Sequence, residues 1–303
     1  MVAILLSTFN GAKYLGDQLS SFTAQTHKDW RLYWRDDGSS DDSAAVMEAF
    51  ASGAGQGRCL RHDGSGHLGA AASFLALLAM AVAGPAAYFA FSDQDDVWTR
   101  DKLAHGVAAL CARPPQQPAL YFCARTLVNE RLVPLKYVPP PGRTPGFPAA
   151  LTQNVAPGCC MVVNRAAAEL VGRCPVAEGT WHDWWAYIVV AASDGVIIAG
   201  ESPDVLYRQH GGNLIGESLD RWHRGLGALL RGRATFLALF WRHVATIRAW
   251  DGPLSDQTRA RLAIIERARR GGLSDRIRAL RIPGLVRQTL LETQIFRLWF
   301  LWG

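Results

Sequence analysis

An α/β fold built on a mostly parallel sheet is predicted by three observations. Short apolar runs alternate with helix-like stretches through the first hundred residues. Those runs end in polar clusters: Thr8 and Asn10, Asp36 and Asp37, Asp93 and Asp95. A basic, helix-patterned segment closes the chain. Strands alternating with helices require crossover connections, which lay the strands parallel. Ligands of such sheets bind beyond the carboxyl ends of the strands, where all three clusters fall.

Val2 to Ser7 reads as a short buried strand and Thr8 to Gly11 as a loop, with a helix from Ala12 to Gln25. Trp30 to Arg35 is a second strand, running into Asp36-Asp37-Gly38-Ser39-Ser40-Asp41-Asp42 and a helix from Ser43 to about Ala51. Cys59 to Arg61 is a short third strand. Gly69 to Ser92 carries no charge, a length that suggests a membrane span. Gly84-Pro85 interrupts it, so the stretch is read as a helix from about Ala70 to Ala83, a turn, and a strand from Ala86 to Phe91. Beyond Asp96 the pattern predicts a helix over Trp98–Cys111, a strand over Ala119–Arg125 and an irregular Pro-rich loop over 138–146. A turn into a strand over Val155–Val163 follows, then a helix through Ala192 entered at Glu178 to Trp185, and strands at Gly195–Ala199 and Val205–His210.

The acids after Phe91 are the sharpest chemical signal. Asp93, Asp95 and Asp96 stand within four residues, and like charges so close raise one another's pKa. A divalent cation relieves that repulsion, and Mg²⁺ is held by one or two carboxylates together with substrate phosphates. The competing reading is a solvated acidic turn capping the next helix.

Composition narrows the class. Apolar residues make up 49% of the chain, which excludes a disordered protein. The net charge of +6 is concentrated at one end: residues 219–303 hold 16 arginines against 6 acids, while residues 1–218 hold 16 Lys+Arg against 20 Asp+Glu. Such a tail favours an anionic partner. The six cysteines form no C-x-x-C pair and read as reduced and mostly buried. Met1 to Leu6 lacks a basic n-region, so no secretory signal is expected there.

Set in order, Ser-Thr-Phe-Asn-Gly at 7–11, Asp-Asp-Gly-Ser-Ser-Asp at 36–41, Ser-Asp-Gln-Asp-Asp-Val-Trp at 92–98, His-Asp-Trp-Trp at 182–185 and Tyr-Arg-Gln-His-Gly-Gly-Asn at 207–213 resemble the family 2 glycosyltransferases. Within them the chain is similar to bacterial rhamnosyltransferase-like enzymes of surface-polysaccharide synthesis. The resemblance covers about residues 1–215. It implies the GT-A nucleotide-diphospho-sugar transferase fold, with a catalytic domain at 1–218 and a helical C-terminal segment at 219–303. Residues 1–98 would bind the nucleotide and 99–218 the acceptor.

The resemblance also implies an inverting transfer dependent on Mg²⁺ or Mn²⁺. Thr8, Asn10, Asp36, Asp37, His67 and Asp93 would contact the nucleotide, with Asp36 accepting from a uracil or thymine ring; Asp37 either shares this work or holds its turn. Asp93 and Asp95, with His210, would hold the metal, and Asp96 either joins them or caps the next helix. Arg208 either contacts phosphate or pairs with an acid. Asp183 would take the acceptor's proton, and Trp181, Trp184 and Trp185 would face sugar rings. Many relatives carry a basic side chain in the segment matching Gly66–Phe74, where this chain offers only His67.

From Arg221 onward, Trp222, Leu226, Leu229, Leu230, Leu237, Phe240, Val244 and Ile247 recur at helical spacing. Arg221, Arg224, Arg231, Arg242 and Arg248 lie mostly off that stripe, and Ile295 to Trp302 ends in aromatics. Such a segment suits either an anionic membrane surface or packing on the catalytic domain or a second copy in a homo-oligomer. No nucleic-acid motif accompanies the charge. The expected protein is a cytoplasmic enzyme, peripheral to the inner face of the cell membrane. It would move rhamnose from dTDP-rhamnose to a glycan or lipid-linked glycan. The alternatives are a transferase using a UDP-hexose, a nucleotidyltransferase, or a non-catalytic scaffold of glycan assembly.

Overall fold

A computed structural model describes residues 1–64, 66–211 and 232–303. The strands, in chain order, are β1 (Val2–Thr8), β2 (Trp30–Asp36), β3 (Cys59–Arg61), β4 (Tyr88–Ser92), β5 (Val97–Trp98), β6 (Ala119–Val128), β7 (Pro134–Val138), β8 (Met161–Asn164) and β9 (Val196–Arg208). The helices are α1 (Ala12–Thr23), α2 (Ser43–Ser52), α3 (Ala70–Val82), α4 (Lys102–Cys111), α5 (Arg165–Arg173), α6 (His182–Ala192), α7 (Arg233–Ala249), α8 (Asp256–Arg270), α9 (Leu273–Leu280) and α10 (Leu290–Trp302).

All nine strands join one sheet, ordered β3-β2-β1-β4-β8-β6-β9-β5, with β7 on β6. The first four strands are parallel, as the βα alternation requires. β8 then inserts antiparallel between β4 and β6, while β6 and β9 run parallel to each other. Val2 to Leu6 are fully buried, because helices cover both faces of the sheet at β1 and leave no polar side for an alternating pattern. Each such Leu or Ile contributes about 1.5–3 kcal/mol by leaving water.

Register positions the site. Thr8 pairs with Asp36 across β1 and β2, and Leu6 with Ser92 across β1 and β4. Parallel pairing therefore brings the three polar clusters to one edge of the sheet.

Several elements differ from the sequence expectation. Val97–Trp98 is a strand pairing with Val205–Leu206 of β9, and the helix begins only at Lys102. Asp96 therefore does not cap a helix; it is 1% exposed and accepts the amide of Arg208. The strands expected at Gly195–Ala199 and Val205–His210 are one long β9, whose register against β6 shifts between Cys123 and Arg125. α5 and β7 were not anticipated.

The apolar stripe of the C-terminal segment is turned inward. Leu237, Phe240, Val244 and Ile247 on α7 are all buried, as are Phe296 and Phe300 on α10. Phe240 sits among Phe236, Phe296 and Phe300 with ring centroids 5.8–6.5 Å away. These residues form the packing face of the helical segment rather than a membrane-facing one. Arg221, Trp222, Arg224, Leu226, Leu229, Leu230 and Arg231 lie outside the described residues. No helix among the described residues is long and apolar enough to cross a membrane.

Candidate active site

At the end of β1 the chain turns sharply. Asn10 adopts a positive φ of 50°, a conformation Asn tolerates better than most residues. Its side chain accepts the amide of Ser40 at 2.8 Å, and its own amide donates to Ser39 Oγ at 2.9 Å. Asp36 accepts from Thr8 Oγ1 at 3.1 Å, from the Ser39 amide at 3.1 Å and from Ser39 Oγ at 2.5 Å. The loops after β1 and β2 are thus sewn together.

Asp37 is consumed by structure. It is 2% exposed and accepts the amides of Leu68 and Gly69, each at 2.8 Å, together with the buried guanidinium of Arg35. Arg35 also donates to Ser73 Oγ and to the carbonyl of Gly66. Burial alone would raise the pKa of Asp37, but the Leu68 amide, Arg35, Ser73 and the Gly69 amide outweigh it and hold the carboxyl below its ordinary value. His67 sits on the loop so anchored, its Nδ1 3.0 Å from the Asp37 carbonyl and its ring 4.8 Å from that of Phe9. Phe9 is 45% exposed. An exposed aromatic at a strand end was the signal for it, and the sequence reading passed over it.

Gln94 was also missed. Its amide oxygen accepts the Phe9 amide at 2.8 Å and its amide nitrogen donates to the Phe9 carbonyl at 3.0 Å. The residue between the two acids therefore clamps the β1 loop from both sides. A Cβ at Gly11 would collide with that same amide and push the clamp out of place.

The acids themselves are poorly compensated. Asp93 is pushed up to about 8 by burial, then by the charges of Asp95 and Asp183, with only the nearby Cys159 thiol acting against them. Asp96 is raised well above the carboxylate range by burial and by Asp95 and Asp93. Asp95 faces His210, with Nε2 2.8 Å from Oδ2, and the His210 ring lies 4.7 Å from Tyr14. Arg208 pairs with an acid: its guanidinium reaches Asp17 Oδ2 at 2.8 Å and the carbonyls of Asp95 and Glu130 at 2.7 and 2.5 Å. It ties the acid loop to α1 rather than standing free for phosphate.

Asp183 opens α6. Its Oδ1 accepts the Trp184 amide at 2.6 Å, a usual placement for an acid in a first helical turn. Its Oδ2 accepts the Gly158 amide at 3.0 Å. The turn at Gly158–Cys160 thereby brings Asp183 towards Asp93, since the next residue, Cys159, places its thiol within 4.8 Å of an Asp93 carboxylate oxygen. The reading of the cysteines as reduced and mostly buried did not reveal this proximity. His182 is fully enclosed, stacked on Phe74 at 4.0 Å, and burial lowers its pKa to about 4. Trp181 and Trp184 are half-buried. Trp185 is 0% exposed and belongs to the core, so it is withdrawn as a sugar contact: no ring with no accessible surface can touch a ligand.

The C-terminal helices brace this loop. His243 of α7 is fully buried, with Nε2 2.7 Å from Thr180 Oγ1 and its ring 4.8 Å from Trp184.

Comparison with known proteins agrees with this geometry. The model of glycosyl transferase family 2 matches residues 3–171, more than half of the chain. The dTDP-rhamnosyl transferase RfbG of Shigella flexneri is 23% identical over 228 residues, covering 71% of this chain and 74% of the relative. The uncharacterized glycosyltransferase RT0329 of Rickettsia typhi is 23% identical over 202 residues, covering 63% of this chain and 60% of the relative. Among solved structures, S. aureus TarS residues 1–349 in complex with UDP-GlcNAc superposes with a TM-score of 0.57 at 13% identity, over 92% of this chain and 78% of that one. Mannosyltransferase PcManGT from Pyrobaculum calidifontis in complex with GDP-Man and Mn²⁺ gives 0.53 at 17% identity, over 99% and 85%. The fold is that of the GT-A glycosyltransferases. The chain belongs to glycosyl transferase family 2: it is a glycosyltransferase that uses a nucleotide-sugar donor.

Proposed function

We propose that the enzyme transfers rhamnose from dTDP-rhamnose, with inversion, to a glycan or lipid-linked glycan of a cell-surface polysaccharide. The convergence of Thr8, Asp36, Asp93 and Asp95 at one sheet edge, with Asp183 bonded to Gly158 and the next residue's thiol within 4.8 Å of Asp93, carries this reading. The donor identity is supported by the relative named a dTDP-rhamnosyl transferase. Thr8, Asn10, Asp36 and His67 would face the nucleoside, with Asp37 fixing the loop that carries His67.

Asp95 and His210, whose Oδ2 and Nε2 lie 2.8 Å apart, would together with Asp93 hold a hard divalent ion such as Mg²⁺ or Mn²⁺. Their donors are oxygens and one imidazole, and the charge of Asp93 is unbalanced by its surroundings. Such an ion, when bound, neutralises charge gathering on the leaving diphosphate. The chain's own groups do the rest. Asp183 accepts the proton of the acceptor hydroxyl while that oxygen attacks the anomeric carbon. The sugar–phosphate bond breaks with its electron pair leaving on the nucleoside diphosphate. Attack opposite the leaving group inverts the anomeric centre. Both oxygens of Asp183 keep a free acceptor position beside their amide bonds, so the carboxylate is oriented without being used up. Trp181 and Trp184 flank it as faces for sugar rings.

An acceptor held at an anionic membrane surface is supported by an apolar row on α10. Leu291, Leu298 and Trp302 are 62, 49 and 73% exposed there. The decisive experiment is a donor panel of dTDP-rhamnose, UDP-glucose, UDP-galactose and GDP-mannose, each with Mg²⁺ or Mn²⁺. Release of dTDP from dTDP-rhamnose alone is expected. Preference for a UDP- or GDP-sugar would replace the donor assignment, and release from none would remove the transfer itself.

A further inference from the structure

The acids of the site supply two donor sets that share Asp93. The outer set contains Asp95 and His210. The inner set contains Asp96 and Cys159, and Asp93, Asp96 and Cys159 each place one ligand atom within 4.8 Å of the others. Asp96 is 1% exposed, and while its Oδ1 accepts the Arg208 amide at 3.0 Å, its Oδ2 has no hydrogen-bond partner. A buried carboxylate oxygen left alone is costly, and native structures seldom carry one without a reason. The Cys159 thiol is 1% exposed and lies within 4.8 Å of both carboxylates. A second thiol, Cys160 Sγ, stands 3.9 Å from Cys159 Sγ. Asp93 is half-buried and forms the open side of the group.

The chemistry of this set differs from that of the outer one. Mg²⁺ prefers oxygen ligands and keeps its waters, whereas a thiolate selects softer ions. Tetrahedral Zn²⁺ holds oxygen and sulfur at about 2.0–2.3 Å, which places ligands ~3.5 Å apart, so the three atoms need draw in by only about 1 Å. On binding, the thiol proton leaves to solvent and the thiolate enters the coordination sphere.

We propose that Asp93, Asp96 and Cys159 form an inner cation site for one thiophilic divalent ion, Zn²⁺ or Co²⁺, separate from the Asp95–His210 position. The site goes beyond the proposed transfer and does not depend on it.

Cobalt tests it directly. The full-length protein, reduced and freed of metal by a chelator, is titrated with Co²⁺ alone while near-ultraviolet absorption is followed. A thiolate-to-cobalt charge-transfer band saturating at one equivalent is expected, displaced by Zn²⁺ and untouched by the same concentration of Mg²⁺. Cys159→Ser should abolish the band, Asp96→Asn should weaken Co²⁺ binding at least tenfold, and Asp95→Asn and Cys111→Ser should leave the band in place. Circular dichroism and the melting temperature report whether each variant is folded. No band in the wild-type protein overturns the proposal. So does a band that survives in folded Cys159→Ser, or one that Cys111→Ser removes. Because the readout is absorption, failure of the donor panel leaves this result intact, and the reverse also holds.

Discussion

The two sides of the site are built on opposite terms. On the β1–β2 side, Asp36 and Asp37 are answered within the chain. Asp36 takes three hydrogen bonds, and Asp37 takes two amides and Arg35. On the β4 side the acids are set against one another. Asp93 is raised to about 8, Asp96 is raised well above the carboxylate range, and Asp96 Oδ2 has no hydrogen-bond partner. The first side is finished before any ligand arrives. The second holds carboxyls that must keep protons or gain a cation to be relieved, so its cost in stability and its use in function come from the same atoms.

Removing an acid should therefore have opposite effects on the two sides. The largest effect falls on turnover. Asp183→Asn should lower the transfer rate by ~10²–10⁴-fold with donor binding preserved, measured by steady-state kinetics and donor titration. Retained transfer would remove Asp183 as the base. Next, Asp37→Ala strands the buried Arg35 guanidinium and two amides, and should cost about 3–5 kcal/mol of stability in urea unfolding. A loss under 1 kcal/mol would mean that the finished side is not held as described.

His243 gives the third effect. Burial, aided by Arg242, lowers it to about 4 from 6.5. The unfolded chain therefore binds a proton between those pH values that the folded chain refuses. Stability from this group is present above pH 6.5 and is lost as pH falls towards 4, by up to roughly 3 kcal/mol. His243→Gln should flatten the unfolding free energy over that window by a comparable amount; an unchanged slope would refute the assignment. The smallest effect has the opposite sign to the second. Asp96→Asn should stabilise the metal-free protein at pH 8 by about 1–2 kcal/mol, because it removes a charge whose pKa folding has raised. Added Mn²⁺ should narrow the gap between the two proteins. A destabilised Asp96→Asn would mean that the acid side is compensated after all.

The fold was legible where structure is local. β1, β2 and β4 announce themselves as apolar runs ending in acids, and the helices between them follow from period and breakers. β5 was not legible, because two residues form a strand only by pairing with β9 more than a hundred positions later. β9 read as two strands because Glu201 to Asp204 interrupts its apolar pattern, and only the register shift against β6 keeps it whole. On α7, the stripe of Leu237, Phe240, Val244 and Ile247 marked a buried face. Nothing in a stripe says whether lipid or protein will cover it, and Phe236, Phe296 and Phe300 decide that here.

The site was legible as a set of acids and motifs, less so as a set of roles. Asp37 and Asp36 are adjacent and alike in sequence, yet one closes on the 66–69 loop and the other on Thr8 and Ser39. Trp185 and Trp184 differ only in which way the helix turns them. Cys159 reads as an ordinary buried thiol until the turn at Gly158 sets it beside Asp93.

Gln94 sits between Asp93 and Asp95 and grips the backbone of Phe9 by both its amide nitrogen and its amide oxygen. On the proposed reading, a side chain at the diphosphate end of the site thus also holds the nucleobase end at a set span. The site would then work as a caliper whose jaws share one screw, gauging a donor by its length from ring to diphosphate as well as by either end alone. A Gln94→Ala enzyme would loosen that gauge, tolerating nucleotides of the wrong reach before it lost the right one.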